Sequence, residues 1–547
     1  MSVQPIQVTP SAYTYPLLIK QLLHTPLAVA PDQEIVYADK RRLTYREFAR
    51  RIHRLGHALT RLGVQGGDTV AVMDWDSHRY LECFFGVPML GAVLQTVNIR
   101  LSPDQILYTL NHAQADVLLV NREFLPVLEQ IKAELATVKK IVLLSDEDPA
   151  PPAGFAGEYE ALLADCPDHY DFPDFDENAR ATTFYTTGTT GLPKGVYFSH
   201  RQLVLHTLAV CNAIALAPKQ GRFHRDDVYM PLTPMFHVHA WGVPYIATLA
   251  GVKQVYPGRY QPEAILKLIE KEKVTFSHCV PTILHMLLLT PYGKQVDLSH
   301  WKVIIGGSAL TTGLAKAALE RGIDVFTGYG MSETCPILTL AQLDATDLEA
   351  EADASVAVRV KTGRPVPLVA LRTVDAHMDD CPHDGKSAGE VVARTPWLTQ
   401  GYLHSPEASE HLWDGGWLHT QDIGHIDGRG YLQVTDRIKD VIKTGGEWVS
   451  SLELEDLIGR HPAVSEVAVI GVPDEKWGER PLALVVLKPD FAGKVEAADI
   501  QAHVKAFADQ GHISKYGVPE NVRFVDALAR TSVGKLNKRA MREQLVK

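Results

Sequence analysis

The stretch DTVAVMDWDSHRYLECFFGVPMLGAVLQTVN (residues 68–98) decides the fold. It begins and ends with apolar runs that predict buried strands (68–75 and 92–98), and the residues between them have the spacing of a helix. A serine-capped helix pattern follows at 102–114, and another apolar strand pattern at 115–121. This βαβαβ alternation predicts an α/β fold with a doubly wound, largely parallel sheet.

The alternation returns in the second half of the chain and then gives way to a different unit. Strand patterns lie at 274–280, 301–307 and 323–330, and the composition changes after residue 435. The segment that follows has about the length of a small domain. We predict three parts: a large N-terminal domain of doubly wound mixed sheets (1–435), a hinge (436–440) and a small, mobile α+β C-terminal lid domain (441–547).

Composition excludes several classes of protein. Of the 547 residues, 46% are hydrophobic and 22% charged, as in ordinary globular proteins, and the net charge of −11 predicts no nucleic-acid partner. The apolar runs are too short for a transmembrane segment, and the N-terminus does not resemble a signal peptide. The six cysteines stand singly, without zinc-ligand spacing, which predicts reduced thiols and a cytoplasmic location.

The loop YTTGTTGLPKG (185–195) is unusually rich in small and hydroxylated residues. Glycines allow successive amides to turn toward an anion, threonine hydroxyls can contact phosphate or Mg²⁺, and Lys194 supplies positive charge. A Walker A loop is excluded because Pro193 stands at its second glycine and Gly195 at its Ser/Thr. A plain surface turn would not need four threonines, so the sequence favours a phosphate-binding loop.

The pair His237 and His239 invites a metal-binding interpretation, because on a strand both side chains would project to one face. No further cysteine, histidine or aspartate ligand stands nearby in sequence. The pattern therefore does not favour a metal site.

The phosphate loop resembles the signature of the adenylate-forming superfamily, which includes acyl-CoA synthetases, firefly-type luciferases and peptide-synthetase adenylation domains. Further motifs follow in that family's order: GGSA (306–309), GYGMSET (328–334), HTQDIGHID (419–427), DRIKDVIKTGGEW (436–448) and RTSVGK (530–535). MFHVHAWGVPY (235–245) and KTGGEWVSSLELE (443–455) are most similar to medium- and long-chain fatty acyl-CoA synthetases.

The resemblance implies an AMP-forming acid–thiol ligase with ATP, Mg²⁺ and CoA. Such an enzyme converts a carboxylic acid to acyl-AMP, releases pyrophosphate and then passes the acyl group to CoA. Its partners would be these small molecules, and a homodimer is common in similar enzymes.

The resemblance also assigns roles to the residues that would hold ATP. Thr186 and Glu333 would ligate Mg²⁺. The phosphates would be held by Thr186, Thr187, Gly188, Thr189, Thr190, Gly191, Lys194 and Ser332. Adenine and ribose would contact Gly307, Ser308, Ala309, Gly328, Tyr329, Gly330, Asp422 and Arg437. Gln421 stands where the family usually has glycine.

The remaining assignments concern the acid, CoA and the domain movement. Lys535 would bind the carboxylate and α-phosphate oxygens during adenylation, with Lys443 and His237 as further catalytic residues. The acyl pocket would contain His237, Trp241, His278 and Cys279. The CoA tunnel would contain Gly445, Gly446, Glu447 and Trp448. The hinge position would be Lys439.

The substrate and several alternative functions stay open at this point. His278 and Cys279 are bulkier than the residues often found there in long-chain synthetases, which favours a medium-chain fatty acid. A small or aryl acid such as methylmercaptopropionate is an alternative. A carrier-protein adenylating enzyme and a luciferase-like oxygenase are further alternatives. An inactive nucleotide-binding regulator and an ATP hydrolase fit the motifs less well.

Overall fold

The computed structural model describes residues 3–186, 192–444, 447–510, 513–530 and 536–545, with the side chains of 447, 448 and 545 left out. The strands are, in chain order, β1 (Glu34–Tyr37), β2 (Arg41–Thr44), β3 (Thr69–Met73), β4 (Val93–Thr96), β5 (Ala115–Asn121), β6 (Lys140–Leu144), β7 (Gly157–Glu158), β8 (Arg180–Thr186), β9 (Lys194–Ser199), β10 (Val228–Pro231), β11 (Lys253–Tyr256), β12 (Phe276–Cys279), β13 (Lys302–Ile305), β14 (Asp324–Gly330), β15 (Ile337–Leu340), β16 (Arg364–Pro365), β17 (Ala370–Val374), β18 (Gly389–Arg394), β19 (Leu418–Ile426), β20 (Leu432–Arg437), β21 (Ile442–Thr444), β22 (Glu447–Val449), β23 (Val464–Asp474), β24 (Gly478–Leu487) and β25 (Asn521–Phe524).

The helices are α1 (His24–Val29), α2 (Tyr45–Arg61), α3 (His78–Met89), α4 (Pro103–His112), α5 (Leu125–Ile131), α6 (Tyr159–Ala164), α7 (His200–Ala215), α8 (Val238–Trp241), α9 (Val243–Ala250), α10 (Pro262–Glu272), α11 (Pro281–Leu289), α12 (Thr312–Glu320), α13 (Ala345–Leu348), α14 (Ala352–Arg359), α15 (Pro406–Leu412), α16 (Ser451–Gly459), α17 (Ala497–Asp509) and α18 (Lys538–Leu545). Among the helices in these ranges, none has both the length and the apolar character that crossing a bilayer requires.

Two large sheets form the body of the chain, and the α/β prediction is confirmed. The first has seven strands in the order β7-β6-β5-β3-β4-β8-β9 and is parallel except at β8–β9. The second has nine, in the order β16-β15-β14-β13-β12-β10-β11-β1-β2, and is parallel from β14 to β1. The strands predicted in 68–98 are β3 and β4. Helix α3 lies between them in the chain and is fully buried.

The predicted helix start at Ser102 is confirmed and has a clear local cause. The Ser102 hydroxyl accepts a hydrogen bond from the Gln105 amide, while the Gln105 side chain accepts one from the Ser102 amide. This reciprocal pair satisfies two amides that a helix N-terminus otherwise leaves unbonded. The acidic segment 147–177 lies largely at the surface, as predicted, but it also contributes β7 and α6.

A buried charge cluster joins α2, α3 and α6. The Arg51 guanidinium lies 2.6 Å from Oε1 of Glu82 and 2.8 Å from Oε2 of Glu160. Glu82 is fully buried and also accepts a hydrogen bond of 2.7 Å from the Tyr159 hydroxyl. Each charge is therefore paired, which is the condition for keeping charges in a protein interior.

Two smaller sheets follow the large ones. One is antiparallel, β17-β18-β19-β20, and the other has the order β22-β21-β24-β23 with β25 beside β24. Strand β20 continues to Arg437, so the first two residues of the predicted hinge lie in the last strand of the antiparallel sheet. Helices α16, α17 and α18 pack with the second small sheet and build the small α+β domain.

Candidate active site

A cavity lies at the carboxyl edge of the nine-stranded sheet, where the loops after β10, β12, β13 and β14 meet. Ligands of open α/β sheets usually bind at this edge. The segments after β13 and β14 form one side of the cavity, through Gly306, Gly307, Tyr329 and Ser332. The opposite side is largely apolar and is lined by Leu232, Pro234, Val238, Trp241, Val280 and Ile283.

The predicted adenine contacts lie on the first of these sides. Gly307, Gly328, Tyr329 and Gly330 line the cavity, whereas Ser308 and Ala309 are exposed just outside its lining. The glycine at position 330 is required, because a Cβ there would lie 1.7 Å from the carbonyl oxygen of Pro336. The backbone at Gly330 therefore lies close to that of Pro336, next to Tyr329.

The predicted ribose contacts form a hydrogen-bonded group. Asp422 is buried, its Oδ2 accepts a hydrogen bond of 2.7 Å from the Tyr329 hydroxyl, and its Oδ1 lies 3.4 Å from Nε of Arg437. Gln421 has a φ of 59°. Glycine adopts this left-handed conformation most easily, which explains why the family usually places glycine there, and Gln421 adopts it at a cost.

The ends of the phosphate loop are held by the hairpin β8–β9. Thr186 and Lys194 lie directly opposite each other in its last described pair. The predicted phosphate contacts Thr187, Gly188, Thr189, Thr190 and Gly191 lie outside the described residues. The hairpin therefore delivers the predicted metal ligand and the predicted phosphate cation to one place.

Glu333 is brought to the same place by the short helical turn 332–334 that follows β14. It is 7% exposed, and its burial raises the pKa of its carboxyl, while Arg437 and Lys194 act on that pKa in the opposite direction. Both cations are therefore close enough to stabilise the ionised carboxylate. Glu333 thus interacts electrostatically with both Lys194 and Arg437.

Tyr402 joins this group and was missed by the sequence reasoning. Its hydroxyl donates a hydrogen bond of 2.7 Å to Oε1 of Glu333, and the ammonium of Lys194 lies 4.5 Å from the centre of its ring. Tyr402 also pairs through its backbone with Val196 of β9. The only sequence signal is a tyrosine in a glycine-containing turn, which is too common to identify a site residue.

The pair His237 and His239 does not lie on a strand, so the geometry that the metal-binding interpretation would need is not present. Val238, His239, Ala240 and Trp241 all have left-handed backbone, with φ between 47° and 59°. Each such residue costs about 1–2 kcal/mol. We call residues 238–241 the left-handed turn.

The left-handed turn separates the surroundings of the two histidines. His237 and Trp241 line the cavity, whereas His239 is fully buried and makes edge contacts with the rings of Phe84 and Phe184. This burial lowers the pKa of His239 to about 3. The described residues contain no group of three or more His, Cys, Asp or Glu side chains that could hold a metal ion.

Two predicted acyl-pocket residues, His278 and Cys279, do not line the cavity. His278 is buried behind Trp241, with ring centres 4.9 Å apart, and its Nε2 lies 2.9 Å from the Tyr229 hydroxyl. Cys279 points into the core around Val303 and Leu284. Alternation along β12 sends the two side chains to opposite faces of the sheet, and both faces are buried. Val280, Thr282 and Ile283, which follow the strand, line the cavity instead. Tyr260 and Arg100 also line it and were not predicted.

Some predicted catalytic and CoA-tunnel residues lie beyond what the structure describes. Lys535, Gly445 and Gly446 lie outside the described residues, as do the side chains of Glu447 and Trp448. Lys443 is exposed on β21, and its backbone amide donates to Glu479. Lys439, the predicted hinge position, is exposed between β20 and β21.

A buried polar cluster crosses the predicted hinge. Oδ2 of Asp436, on β20, accepts hydrogen bonds of 2.6 Å from the amide and the hydroxyl of Ser451, at the start of α16. Lys538 of α18 donates to the same hydroxyl and lies 2.7 Å from Glu455. We call Asp436, Ser451, Glu455 and Lys538 the cross-hinge cluster. It joins the large domain to the helix that follows the segment containing Lys535.

Two family models match the chain over most of its length. Residues 23–403 match the AMP-binding enzyme model, and residues 453–535 match the AMP-binding enzyme C-terminal domain. The chain belongs to the AMP-binding enzyme family. The predicted membership of the adenylate-forming superfamily is thereby confirmed. One match falls on the large domain described above and the other on the small domain.

Curated relatives cover almost the whole chain. It is 41% identical over 511 residues to a long-chain-fatty-acid–CoA ligase of Thermus thermophilus (92% of this chain, 90% of the relative). It is 39% identical over 496 residues to a 3-methylmercaptopropionyl-CoA ligase of Ruegeria pomeroyi (90% and 89%). It is 35% identical over 508 residues to a medium-chain-fatty-acid–CoA ligase of Ectopseudomonas oleovorans (92% and 90%).

Solved structures agree with this AMP-binding fold. An ATP-bound MatB from Rhodopseudomonas palustris is 25% identical with a TM-score of 0.81, covering 96% of this chain and 98% of that one. A fatty acyl CoA synthetase of Mycobacterium tuberculosis is 29% identical with a TM-score of 0.70, also covering 96% and 98%.

Proposed function

We propose that this AMP-binding enzyme is an ATP-dependent acyl-CoA synthetase. It activates a carboxylic acid as acyl-AMP, releases pyrophosphate and transfers the acyl group to CoA. The observation that carries the proposal is a single cavity in which Tyr329 faces an apolar wall, with Asp422 and Arg437 connected to Tyr329 behind the lining. Such a cavity suits a reaction that joins a nucleotide to an organic acid, because both reactants are held in one orientation.

The polar side has the groups that ATP requires. The Tyr329 ring offers a flat face for adenine, and Asp422 offers carboxylate oxygens to the ribose hydroxyls. Arg437 balances the Asp422 charge and also acts electrostatically on Glu333. Ser332, at the start of the turn that carries Glu333, is placed by the resemblance at the α-phosphate.

Glu333 fits the role of a Mg²⁺ ligand. It is a buried carboxylate, and its Oε1 accepts a hydrogen bond from the Tyr402 hydroxyl. Oxygen ligands are those that Mg²⁺ prefers, and Thr186 would supply a second one. When bound, the ion would neutralise charge on the phosphates, while Tyr402 keeps the Glu333 carboxylate in position.

The remaining catalytic roles follow from the family resemblance. Lys535 would place a positive charge where negative charge develops during adenylation, and Thr187 to Gly191 with Lys194 would hold the departing pyrophosphate. A rotation about Lys439 would then bring the loop containing Gly445, Gly446, Glu447 and Trp448 to the pantetheine of CoA, with Lys443 nearby.

We propose a medium-chain fatty acid as the substrate. The apolar wall provides a chamber for an alkyl chain, and Trp241 limits its width. The bulk of His278 acts through Trp241, because its buried ring packs behind the indole and keeps it against the cavity. If kcat/KM for palmitate exceeds that for octanoate, the chain-length proposal is wrong.

A small thioether acid is the second candidate substrate. It is favoured by the 39% identity to the Ruegeria pomeroyi ligase for 3-methylmercaptopropionate. A carrier protein in place of CoA is an alternative acceptor. We also propose that the ion is Mg²⁺, that the protein forms a homodimer and that it is cytoplasmic. Sedimentation velocity would test the homodimer, and cell fractionation would test the location.

The first experiment mixes the protein with Mg-ATP, CoA and a series of acids: acetate, octanoate, palmitate, benzoate and methylmercaptopropionate. AMP and acyl-CoA are measured together, with a control lacking CoA. Equal amounts of AMP and thioester for one acid class support the proposal. Bound acyl-AMP without thioester favours a carrier protein as acceptor, and ADP as the product contradicts the proposal.

Two lysine variants separate the half-reactions. Lys535→Ala should lose the formation of acyl-AMP but still make thioester from supplied acyl-AMP and CoA. Lys443→Ala should show the opposite pattern. If both variants lose both steps equally while remaining folded, the proposed division of roles between the two lysines is wrong.

A further inference from the structure

Asp76 is a buried carboxylate that connects the two large sheets. It follows β3 of the seven-stranded sheet and is only 2% exposed. Its Oδ1 accepts a hydrogen bond of 2.8 Å from the Met235 amide, and its Oδ2 accepts one of 2.8 Å from the Tyr260 hydroxyl. Its carbonyl oxygen also accepts from the Gly258 amide at 2.9 Å. All three donors follow strands of the nine-stranded sheet.

The two segments that Asp76 holds form part of the cavity wall. Met235 lies between Pro234 and His237, which both line the cavity, and Tyr260 lines it from the segment after β11. Asp76 itself is behind this wall. It therefore fixes the loop that carries His237 and, at the same time, turns the Tyr260 hydroxyl away from the cavity.

The hydrogen bonds identify the ionisation state in which this arrangement exists. Both carboxyl oxygens accept a hydrogen bond, which is the pattern of a carboxylate. A proton on Oδ2 would make that oxygen a donor, and the Tyr260 hydroxyl would have to turn to accept it. The arrangement on the cavity wall is thus coupled to the charge of Asp76.

The surroundings of Asp76 contain few groups that change charge near neutral pH. The charged and titratable side chains that act on it are Asp74, which also follows β3, Arg100 after β4, and Tyr80, Tyr229, Tyr256 and Tyr260. Burial raises the pKa of all four tyrosines, so they stay neutral. Burial also raises the pKa of Asp76 to about 7.

We propose that Asp76 is a positioning residue for the acyl-adenylation reaction, and that its ionised carboxylate holds the cavity wall in the competent arrangement. This inference rests on the proposed function and adds a residue to it. Asp76 touches neither reactant and acts through the His237 loop and Tyr260. Protonation releases this hold, so the enzyme loses efficiency as the pH falls.

The test compares pH profiles of kcat/KM for the acid in the adenylation step. Between pH 8 and pH 6 the wild-type value should fall about tenfold, as one ionisation near 7 requires. Asp76→Asn keeps the shape but cannot ionise. The ratio of the wild-type value to that of Asp76→Asn should therefore fall about tenfold between pH 8 and pH 6.

Asp74, which also follows β3, provides a matched control. Asp74 is also buried, but its carboxylate accepts from Ser77 and Asn121 within the first sheet and reaches no segment of the cavity wall. Asp74→Asn should keep the wild-type fall in kcat/KM, with its midpoint at a slightly lower pH, because the Asp74 charge contributes to raising the pKa of Asp76. The ionisation of ATP is common to all three enzymes and cancels in the ratio of their kcat/KM values. If the ratio of wild-type to Asp76→Asn kcat/KM is the same at pH 8 and at pH 6, or is close to one at pH 8, the inference is wrong.

Two further measurements check the same inference without relying on the pH profiles of kcat/KM. Tyr260→Phe keeps the ring and the charge but removes one hydrogen bond, and it should raise KM for the acid with little change in melting temperature. The second measurement needs no activity. Because the folded state binds the Asp76 proton more tightly than the unfolded state does, wild type should lose stability relative to Asp76→Asn as the pH rises from about 4 to about 7.

The outcomes for the inference and for the function are distinguishable. A wild-type enzyme that forms no AMP with any acid contradicts the proposed function, whereas an active enzyme whose pH profile ignores Asp76 contradicts only the inference. A difference in melting temperature between wild type and Asp76→Asn that does not change with pH would contradict the titration of Asp76 whether or not the substrate is known.

Discussion

The Tyr329 hydroxyl donates its hydrogen bond to Oδ2 of Asp422 across 2.7 Å, so the ring offered to adenine and the carboxylate offered to ribose form one unit. Tyr329 lies on β14 of the nine-stranded sheet, and Asp422 lies on β19 of the antiparallel sheet. The nucleotide side of the cavity is therefore shaped by two sheets at once. A substitution of one of these residues should therefore alter the position of the other.

Tyr329→Phe should weaken ATP binding without unfolding the protein. The ring stays, but Asp422 loses a hydrogen bond worth about 1.5–3 kcal/mol, as is typical for bonds to charged groups. We expect KM for ATP to rise roughly tenfold or more at a similar kcat. Tyr431→Phe is the control, since that buried hydroxyl donates to Gln342 and does not line the cavity. Equal effects of the two variants would contradict the prediction.

Tyr402→Phe should raise the Mg²⁺ concentration needed for half-maximal adenylation. Without the hydroxyl, the Glu333 carboxylate is no longer oriented, and we expect a shift of about three- to tenfold. Calorimetric titration with Mg-ATP gives a second readout that does not depend on turnover. Tyr185→Phe, whose hydroxyl bonds to His112 instead, should leave both values unchanged. An unshifted Mg²⁺ requirement in Tyr402→Phe would contradict the role of Tyr402.

Asp436→Asn should loosen the connection between the domains. The amide nitrogen cannot accept the two hydrogen bonds from Ser451, so the cross-hinge cluster loses its link to β20. We expect tryptic cleavage within 436–443 to become about tenfold faster. Asp474→Asn is matched, because Asp474 also accepts two hydrogen bonds but only within its own turn. Cleavage that is unchanged in Asp436→Asn would show that the cluster does not restrain the domains.

Glu82→Ala should be among the most destabilising single changes in the chain. It leaves the buried Arg51 without its main partner and the Tyr159 hydroxyl without an acceptor. Removing one partner of a buried pair costs about 3–5 kcal/mol. Urea denaturation measures the loss. Glu263→Ala, which breaks the exposed pair with Lys267, should leave the denaturation midpoint unchanged. Similar midpoints for the two variants would contradict the prediction.

The sequence allowed the fold to be predicted, because strands and helices follow local patterns. The nucleotide side of the site was assigned from the family resemblance and stays a prediction. Strands β3, β4 and β5 are apolar runs, and Glu333, Asp422 and Arg437 stand in motifs that also resemble a known family. The structure adds how those residues meet. Lys194, Glu333 and Arg437 are far apart in the chain, and only the fold shows that their charges interact.

The contacts behind the site could not be predicted, because nothing local specifies them. Tyr402 reaches Glu333 across 69 positions, and Asp76 reaches Met235 across 159. His278 was predicted to line the acyl pocket, but β12 turns its side chain behind Trp241. The left-handed turn was missed because valine, alanine and tryptophan give no signal for a positive φ.

The left-handed turn has a consequence for anyone who wishes to alter the substrate range. Its four residues already occupy a costly backbone conformation, and glycine, asparagine or aspartate would relax it, whereas larger β-branched residues would add to the cost. Libraries randomised at 238–241 should therefore return mainly misfolded or unchanged enzymes. Val280 precedes α11 and Thr282 and Ile283 lie at its start, with no such constraint, and randomisation there should reshape the chamber at little cost in yield.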